Sequence, residues 1–198
     1  MMRKVDVKNL QVENPDVAKG RSPAEPDSVD RTLEVWAREL PFLDLETEGI
    51  VERIDQLHRH LDRTMRETLD AFDLSHGEYK LMVHLRYGGP PYRGKPGKLA
   101  ERLGLSSGAM TNRLDNLEGR GLIRRVDDPD DRRGVFVELT DEGKKLWDEA
   151  VGVQAEKEAI VDAALGAVEK RQLNELLRRL MHAFTASHGS LHAKDDAA

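Results

Sequence analysis

The segment 98–139 constrains the fold more than any other part of the chain. Its first residues predict a short helix that ends at Gly104, since glycine readily adopts the positive φ found just past a helix end. A second helix follows, with Ser106 or Ser107 as its cap, and extends to about Glu118. Its apolar positions recur at helical spacing and predict one buried face, formed by Met110, Leu114 and Leu117. Two short helices joined by a tight turn indicate a helix-turn-helix.

The polar side of the second helix carries side chains suited to reading DNA. Small residues at its start, Gly108 and Ala109, keep the leading turn slim enough for a major groove about 12 Å wide. Asparagine and arginine have the donor and acceptor patterns that match adenine and guanine edges. The expected DNA contacts from this helix are Ser106, Ser107, Thr111, Asn112 and Arg113. The alternative is an ordinary helical hairpin with a solvated polar face.

A predicted β-hairpin follows the second helix. Arg124–Val126 and Val135–Leu139 are rich in β-forming residues, and DDPDDRRG between them contains the turn residues Pro129 and Gly134. The tip of this hairpin projects Arg132 and Arg133. Such a wing can place arginine in the minor groove, whose negative potential attracts it. The acidic residues of the tip would repel DNA, so we expect one or two of the aspartates to pair with the arginines and hold the tip in shape. The alternative is a solvated, charged loop.

These features together resemble the MarR family of dimeric winged-helix regulators. The resemblance lies in the helix-turn-helix, the sequence GLIRR and the motif DxDDRRxxxVxLTxxG, and it covers roughly residues 74–186. In the family's wing an aspartate and an arginine lie two residues apart, here Asp131 and Arg133. The resemblance implies that Arg133 enters the minor groove and that Asp131 braces it, with Arg132 as a neighbouring contact.

The distribution of charge fits a specific DNA-binding protein. The net charge of −6 argues against non-specific binding of nucleic acid by the whole chain. Residues 93–133, however, contain ten basic and seven acidic residues, whereas the rest contains 21 basic and 30 acidic residues. The basic excess therefore lies on the segment that the pattern assigns to DNA.

Amphipathic helices are predicted on both sides of the winged helix. The fold class is therefore mainly α, a winged helix-turn-helix with a small β-hairpin wing plus N- and C-terminal helices that form a dimerisation region. The predicted divisions are a flexible tail at 1–27, N-terminal helices for dimerisation and effector binding at 28–73, the winged helix-turn-helix at 74–141, C-terminal dimerisation helices at 142–186 and a flexible tail at 187–198.

The flanking helices have no predicted sheet to cover, so the simplest way to bury their apolar faces is against a second copy. A two-fold homodimer would also place two recognition helices about one DNA turn apart, matching a palindromic operator. The alternative is a larger helical bundle within a monomer.

No catalytic or cofactor-binding constellation stands out, so we expect neither an enzyme nor a cofactor. The seven histidines show no convincing metal-ligand spacing, and no metal site is predicted. The chain has no cysteine, which excludes disulfides and thiolate catalysis. It also has no run of about 18 apolar residues and no N-terminal apolar signal core, so we expect no membrane partner and a cytoplasmic location.

The resemblance also implies a small anionic, often aromatic, effector between the dimer helices and the winged helix. Candidate contacts are Trp36, Tyr79, Lys80, Arg113 and Arg124. The N-terminal WARELPFLDL is similar to MarR-like regulators that respond to urate, in which a tryptophan and a recognition-helix arginine bind the ligand, here Trp36 and Arg113. Lys80 stands where that subgroup has an aspartate, which points to a more acidic ligand or to none. Trp36 is alternatively an anchor of the dimer core.

The sequence therefore predicts a MarR-like regulator, a repressor of a palindromic operator that an effector releases. The alternative from another class is a winged-helix module for protein interaction without sequence-specific DNA binding. An enzyme that uses the helical cleft is the weakest alternative, because no acid–base pair or nucleophile is identifiable.

Overall fold

The computed structural model describes residues 25–188, apart from the side chains of Arg133 and His188. The described helices are α1 Ser28–Glu39, α2 Leu45–Ala71, α3 His76–Tyr87, α4 Pro96–Arg102, α5 Ser107–Gly119, α6 Asp141–Glu158, α7 Ile160–Ala164 and α8 Ala167–His188. The described strands are β1 Arg93–Gly94, β2 Ile123–Asp128 and β3 Asp131–Leu139. The chain divides into two units, one up to Thr68 and one from Leu69. The predicted tails lie almost entirely outside the described residues.

In the first unit, charged side chains fix the start of α1 against α2. Asp27 caps α1 by accepting hydrogen bonds from the N–H groups of Val29 at 2.8 Å and Asp30 at 3.0 Å. Arg53 of α2 donates to the carboxylates of Asp27 at 3.0 Å and Asp30 at 2.6 Å. Val29, beside this cluster, is 1% exposed.

The predicted apolar stripe of α1 is only partly buried. Leu33, Trp36 and Leu40 are half-buried, and Ala37 is exposed. In the single chain, α1 is held at its first turn by the Asp27 cap and by Arg53, and the burial of its apolar stripe against a second copy stays a prediction.

The core of the second unit lies between α3, α5 and the sheet. Ser75 and Glu78 form a capping box at the start of α3, as their spacing in the sequence predicts. The Ser75 N–H donates to Glu78 Oε2 at 2.8 Å and the Glu78 N–H donates to Ser75 Oγ at 3.2 Å. The predicted buried stripe of α5 is confirmed. The side chains of this core include Leu81, Met82, Leu85, Met110, Leu114, Leu117, Leu122, Ile123, Val137 and Leu139.

The sheet has three antiparallel strands in the order β1-β3-β2. The glycines and prolines of residues 88–97 predict an irregular connector, but this connector contains strand β1, in which Arg93 pairs with Glu138 and Gly94 with Val137. Gly89 and Tyr92, with φ of 69° and 61°, turn the connector back toward β3. The Tyr92 carbonyl then accepts a hydrogen bond from the Leu139 N–H at 3.1 Å.

The wing has longer strands and a shorter tip than predicted. Strand β2 continues to Asp128 and β3 begins at Asp131, which leaves Pro129 and Asp130 as a two-residue turn. Gly134, predicted as a turn residue, lies inside β3, where a Cβ would come within 2.8 Å of Asp128 Cβ. Arg132 and Arg133 therefore belong to strand β3 and not to a loop.

The helices that follow the wing depart from the prediction at one point. The spacing of Leu146, Ala150 and Val153 predicts one helix from Thr140 to about Leu165, but this helix is interrupted at Ala159, where α6 ends and the short α7 begins. The apolar side chains along α8 are exposed in the single chain. Among the described residues, no helix is both long and apolar enough to cross a membrane.

The start of α6 packs directly on the turn that precedes β2. Thr140 Oγ1 donates to the Gly121 carbonyl at 2.7 Å and accepts from the Gly143 N–H at 3.0 Å. A Cβ at Gly143 would overlap the Leu122 carbonyl oxygen and lie 2.9 Å from its carbonyl carbon. The threonine and glycine of the LTxxG motif therefore join α6 to the core of the winged helix.

We expect the substitution Gly143→Ala to lower the free energy of unfolding by about 1–3 kcal/mol, because the added methyl group overlaps backbone atoms that can move little. Urea denaturation at one fixed protein concentration measures this change. Gly152→Ala is the matched control on the same helix, since a Cβ there meets nothing within 4 Å. The control should be neutral or gain up to about 1 kcal/mol from helix propensity. Equal effects of the two substitutions would contradict the close approach at Gly143.

Candidate nucleic-acid interface

Helix α5 presents most of its predicted DNA-contacting residues to solvent. Thr111 and Asn112 are exposed on the side away from the buried stripe, and Ser107 is exposed in the first turn of the helix. Ser106 is the N-cap, and its Oγ accepts a hydrogen bond from the Ala109 N–H at 3.2 Å. Thr111 Oγ1 donates to the Ser107 carbonyl at 2.9 Å, so this hydroxyl proton is already used within the helix. An exposed face of small polar side chains is therefore available for a groove.

Arg113 lies at the edge of this face and turns toward α3. It is half-buried, and a Cβ at Gly77 would lie 2.5 Å from its guanidinium carbon. Only a glycine at the start of α3 leaves room for the guanidinium in this position. Within the described part of the chain Arg113 has no ion-pair partner. Lys80 is exposed on α3, three residues after Gly77 and thus on the same side of that helix.

Two arginines that the sequence analysis did not single out hold α5 in place. Arg125 of β2 lies 2.7 Å from Asp115 and forms a second, shorter ion pair with Glu118. Its backbone N–H also donates to Glu118 Oε1 at 3.0 Å. The hydrogen bond to Asp115 is the main cause that raises the pKa of Arg125 above its ordinary value. Because Asp115 and Glu118 lie one turn apart on α5, this arginine ties the helix to the base of the wing.

The second of these arginines, Arg120, is the C-cap residue of α5. Its guanidinium donates to the carbonyl oxygens of Phe72, at 3.1 Å, and Asp73. A cation at these carbonyls is favourable because the end of a helix carries partial negative charge. Arg120 therefore connects the recognition helix with the residues that follow α2.

An ion pair with lysine joins the wing to helix α4. Lys95 Nζ lies 2.7 Å from Asp128 Oδ2, and the Asp128 side chain is only 2% exposed. The lysine is the main cause that lowers the pKa of Asp128, followed by the hydrogen bond from the Asp130 N–H. Asp128 thus pairs with a lysine and not with an arginine of the tip, and the expectation that one or two of the tip aspartates pair with the arginines stays a prediction. Lys95 was missed because it lies far from the wing in sequence, in the connector before α4.

The predicted contacts at the tip are only partly described. Arg132 is exposed and, among the described residues, has no acidic partner. The side chain of Arg133 lies outside the described part of the structure, although its backbone belongs to β3. Asp131 pairs through its backbone with Asp128 across the turn. The bracing of Arg133 by Asp131 therefore stays a prediction.

Helix α4 carries two further exposed basic side chains. Lys98 and Arg102 are exposed, lie four residues apart on one face of the helix and have no acidic partner in the described part of the chain. Neither residue is among the DNA contacts predicted from the sequence. Their spacing of four residues on the first helix of a helix-turn-helix could have indicated them as DNA contacts.

The predicted effector contacts are not all brought together. Arg124 is exposed on β2 and lies 2.7 Å from Glu138 of β3, so it is already paired. Tyr79 is half-buried, and burial is the main cause that raises the pKa of its hydroxyl, followed by Tyr87 and Glu158. Trp36 is half-buried on α1 in the first unit.

A cleft of about 540 Å³ in the second unit does not involve the predicted effector contacts. Its lining residues are Asp70, Asp73, Leu74, Ser75, Glu78, Asn116 and Arg120. With three carboxylates and one arginine it does not have the character expected of a site for an anionic effector.

Comparison with known proteins identifies the family. A sequence model described as the MarR family matches residues 74–135. The HTH-type transcriptional regulator PecS of Dickeya dadantii (strain 3937) is 31% identical over 152 residues, which cover 77% of this chain and 92% of PecS. The chain belongs to the MarR family. Membership of the MarR family confirms the predicted winged-helix transcriptional regulator and agrees with the expectation that the chain is not an enzyme.

Solved structures agree with the fold of this MarR-family protein. The crystal structure of YusO from Bacillus subtilis superposes with a TM-score of 0.62 at 24% identity, covering 71% of this chain and 97% of YusO. The crystal structure of NadR in complex with 4-hydroxyphenylacetate has a TM-score of 0.50 at 26% identity, covering 66% of this chain and 91% of NadR.

The pKa of Asp128 predicts how acid affects the variant Asp128→Asn. Because the folded pKa lies below the ordinary value of 3.8, the ionised carboxylate stabilises the fold above that value and loses this effect as the pH falls through the folded pKa. Asp128→Asn should therefore be less stable than the wild type near neutral pH, and the deficit should shrink below about pH 4. Urea denaturation from about pH 7 to about pH 3 measures the difference.

The neighbouring variant Asp127→Asn controls for the loss of one negative charge. Asp127 is exposed and, among the described residues, has no partner, so this variant should show no comparable deficit. A deficit for Asp128→Asn that stays constant with pH would contradict the role assigned to its ionised carboxylate.

Proposed function

We propose that the protein is a homodimeric repressor that binds a palindromic operator through α5 and the wing. The observation that carries this proposal is the exposed polar face of α5, flanked by basic side chains without acidic partners in the described residues. Those flanking residues are Lys98, Arg102 and Arg132. A groove-sized helix with positive charge on both sides suits a duplex whose two backbones border the groove.

The contacts divide into those that read bases and those that position the protein. Asn112 is the exposed amide of α5 and is suited to a bidentate contact with adenine. Lys98 and Arg102 supply phosphate contacts, which set the register without reading sequence. Arg132 and Arg133 of β3 supply the minor-groove contact. The position of Arg113 against Gly77 makes it a weaker base reader than the sequence predicts.

The apolar faces of α2 and α8 support the homodimer. On α2, Ile50, Ile54, Leu57 and Leu61 are 41–59% exposed in the single chain. On α8 the exposed apolar side chains are Val168, Leu173, Leu176, Leu177, Met181 and Phe184. Exposed apolar patches of this extent indicate a protein interface. A two-fold partner buries the same faces in both copies and presents two copies of α5 to DNA.

The proposal includes an anionic effector that releases the operator. We assign the effector two cations, Lys80 on α3 and Arg113 against Gly77 of that helix, and Tyr79 as the aromatic side chain next to Lys80 in the sequence. NadR, whose structure holds 4-hydroxyphenylacetate, supports an aromatic carboxylate as the class of ligand to test. Arg124 is left out because of its ion pair with Glu138. The ligand role of Trp36 stays a prediction.

We expect Arg133→Ala to lose about 1–3 kcal/mol of operator affinity, since it removes the minor-groove contact. Fluorescence anisotropy on DNA from upstream of the protein's own gene, against scrambled DNA and across a salt series, measures this loss. Arg132→Ala is measured alongside. Arg171→Ala, which removes an exposed arginine of α8, controls for the change in net charge. Wild-type affinity in Arg133→Ala would show that the wing does not make this contact.

We expect Leu176→Asp to raise the dissociation constant of the dimer at least about 30-fold, because it places a charge in an apolar interface. Sedimentation velocity across a range of protein concentrations measures this change. Arg171→Asp is the control on the same helix, since a turn of about 100° per residue places position 171 opposite the apolar stripe. A monomeric wild type, or equal effects of both variants, would contradict the proposed dimer.

A further inference from the structure

An ion pair between a buried carboxylate and a partly exposed lysine connects the wing with the first helix of the helix-turn-helix. Asp128 is the last residue of β2, and its carboxylate is 2% exposed. Lys95, 2.7 Å away, is the N-cap residue of α4. The pair thus joins the wing, at the end of β2 before its tip, to the start of the helix that leads into the turn before α5.

The other wing strand contacts the same lysine. The ring centroid of Phe136 on β3 lies 5.3 Å from Lys95 Nζ and 4.6 Å from the guanidinium carbon of Arg93. Such distances are typical of cation–π contacts. Gly134, also on β3, leaves the space that Asp128 occupies, because a Cβ there would lie 3.0 Å from Asp128 Oδ2. Both strands of the wing are therefore held by one cation on the helix-turn-helix.

Asp128 uses both oxygens of its carboxylate, whereas the side-chain amide of an asparagine has one acceptor oxygen and no charge. Its Oδ1 accepts a hydrogen bond from the Asp130 N–H at 3.0 Å, which shapes the two-residue turn. Its Oδ2 faces the lysine. A buried carboxylate is stable only when it is paired and hydrogen-bonded, and this one is both. A two-stranded ribbon has little stability of its own, so its orientation depends on such contacts.

We propose that Lys95 and Asp128 are a positioning pair that sets the distance between the wing arginines and α5, and so determines the preference for base pairs flanking the half-sites. This inference rests on the proposed function, in which the wing enters the minor groove. Narrow A·T-rich minor grooves attract arginine through their negative potential. Asp128 is buried and contacts no DNA itself, so its effect on flank preference passes through the position of β3.

The test compares Asp128→Asn with Asp127→Asn, because both remove one negative charge from the end of β2. The probes are an operator selected from random-sequence DNA with the wild-type protein, and the same operator with its flanking A·T pairs replaced by G·C pairs. The replacement places guanine amino groups in the minor groove. A third duplex carries one changed base pair within each half-site.

We expect the wild type and Asp127→Asn to prefer the A·T-flanked operator by at least about fivefold, the size of one specific contact. In Asp128→Asn that preference should fall to less than about twofold, whereas the penalty for the changed half-site base stays the same. A merely structural defect would weaken binding to all three duplexes equally. An unchanged flank preference, or an equal loss on all three duplexes, would overturn the proposal.

Two further measurements keep the result interpretable. Lys95→Met should cause the same loss of flank preference, and adding it to Asp128→Asn should cause little further loss, since both variants break one contact. Hydrogen exchange of the free protein should increase in residues 127–135 and not in α5. Independent, additive losses would overturn the proposal. If neither the wild type nor Asp127→Asn binds any selected DNA, the proposed function itself is overturned. In that case the hydrogen-exchange data still show whether the Lys95–Asp128 ion pair holds the wing.

Discussion

The position of helix α5 is the constraint on which the rest of the winged helix depends. Its apolar stripe is buried in the core, which fixes its rotation. Arg125 ties it to the wing strand β2 through Asp115 and Glu118, and Arg120 ties its C-terminal end to the carbonyls of Phe72 and Asp73. Base edges are read through hydrogen bonds of about 3 Å, so a helix that reads them must be held from several sides.

Ion pairs also explain how an acidic chain can present a basic surface. Several acidic side chains near α5 are already engaged by the cations of the wing and connector, as in Asp128 with Lys95 and Glu138 with Arg124. The neighbouring arginines 124 and 125 serve different purposes because successive side chains of a strand point to opposite faces. Arg124 pairs with Glu138 across the sheet, whereas Arg125 pairs with Asp115 and Glu118 of α5. Lys98 and Arg102 of α4 and Arg132 of the wing are among the basic side chains that stay unpaired in the described residues.

Local patterns made most of the fold predictable from the sequence. The capping box at Ser75, the buried stripe of α5 and the LTxxG turn depend on residues within one or two helical turns of each other. The MarR resemblance followed from such local motifs. By contrast, β1 depends on pairing with β3 more than forty residues later, and two residues carry too little pattern to reveal a strand.

The same reasoning explains which parts of the candidate site were missed. The partner of Asp128 is Lys95, 33 positions earlier, and the acceptors of Arg120 lie 47 and 48 positions earlier. Charge and spacing do not distinguish these partners from other lysines and carbonyls, because only the folded chain brings them together. The shortened tip of the wing has a similar origin, since it depends on how Asp128 fits against Gly134. Arg113 was expected on the DNA face, but the space beside Gly77 accommodates it.

The central claim is that two copies of this winged helix read two symmetric half-sites. Selection from random-sequence DNA with the purified full chain, followed by hydroxyl-radical footprinting of the enriched sequence, tests it most directly. The account predicts an inverted repeat with half-site centres about one helical turn apart and two protomers bound per duplex. Enrichment of no sequence, or protection of a single half-site by one protomer, would contradict it.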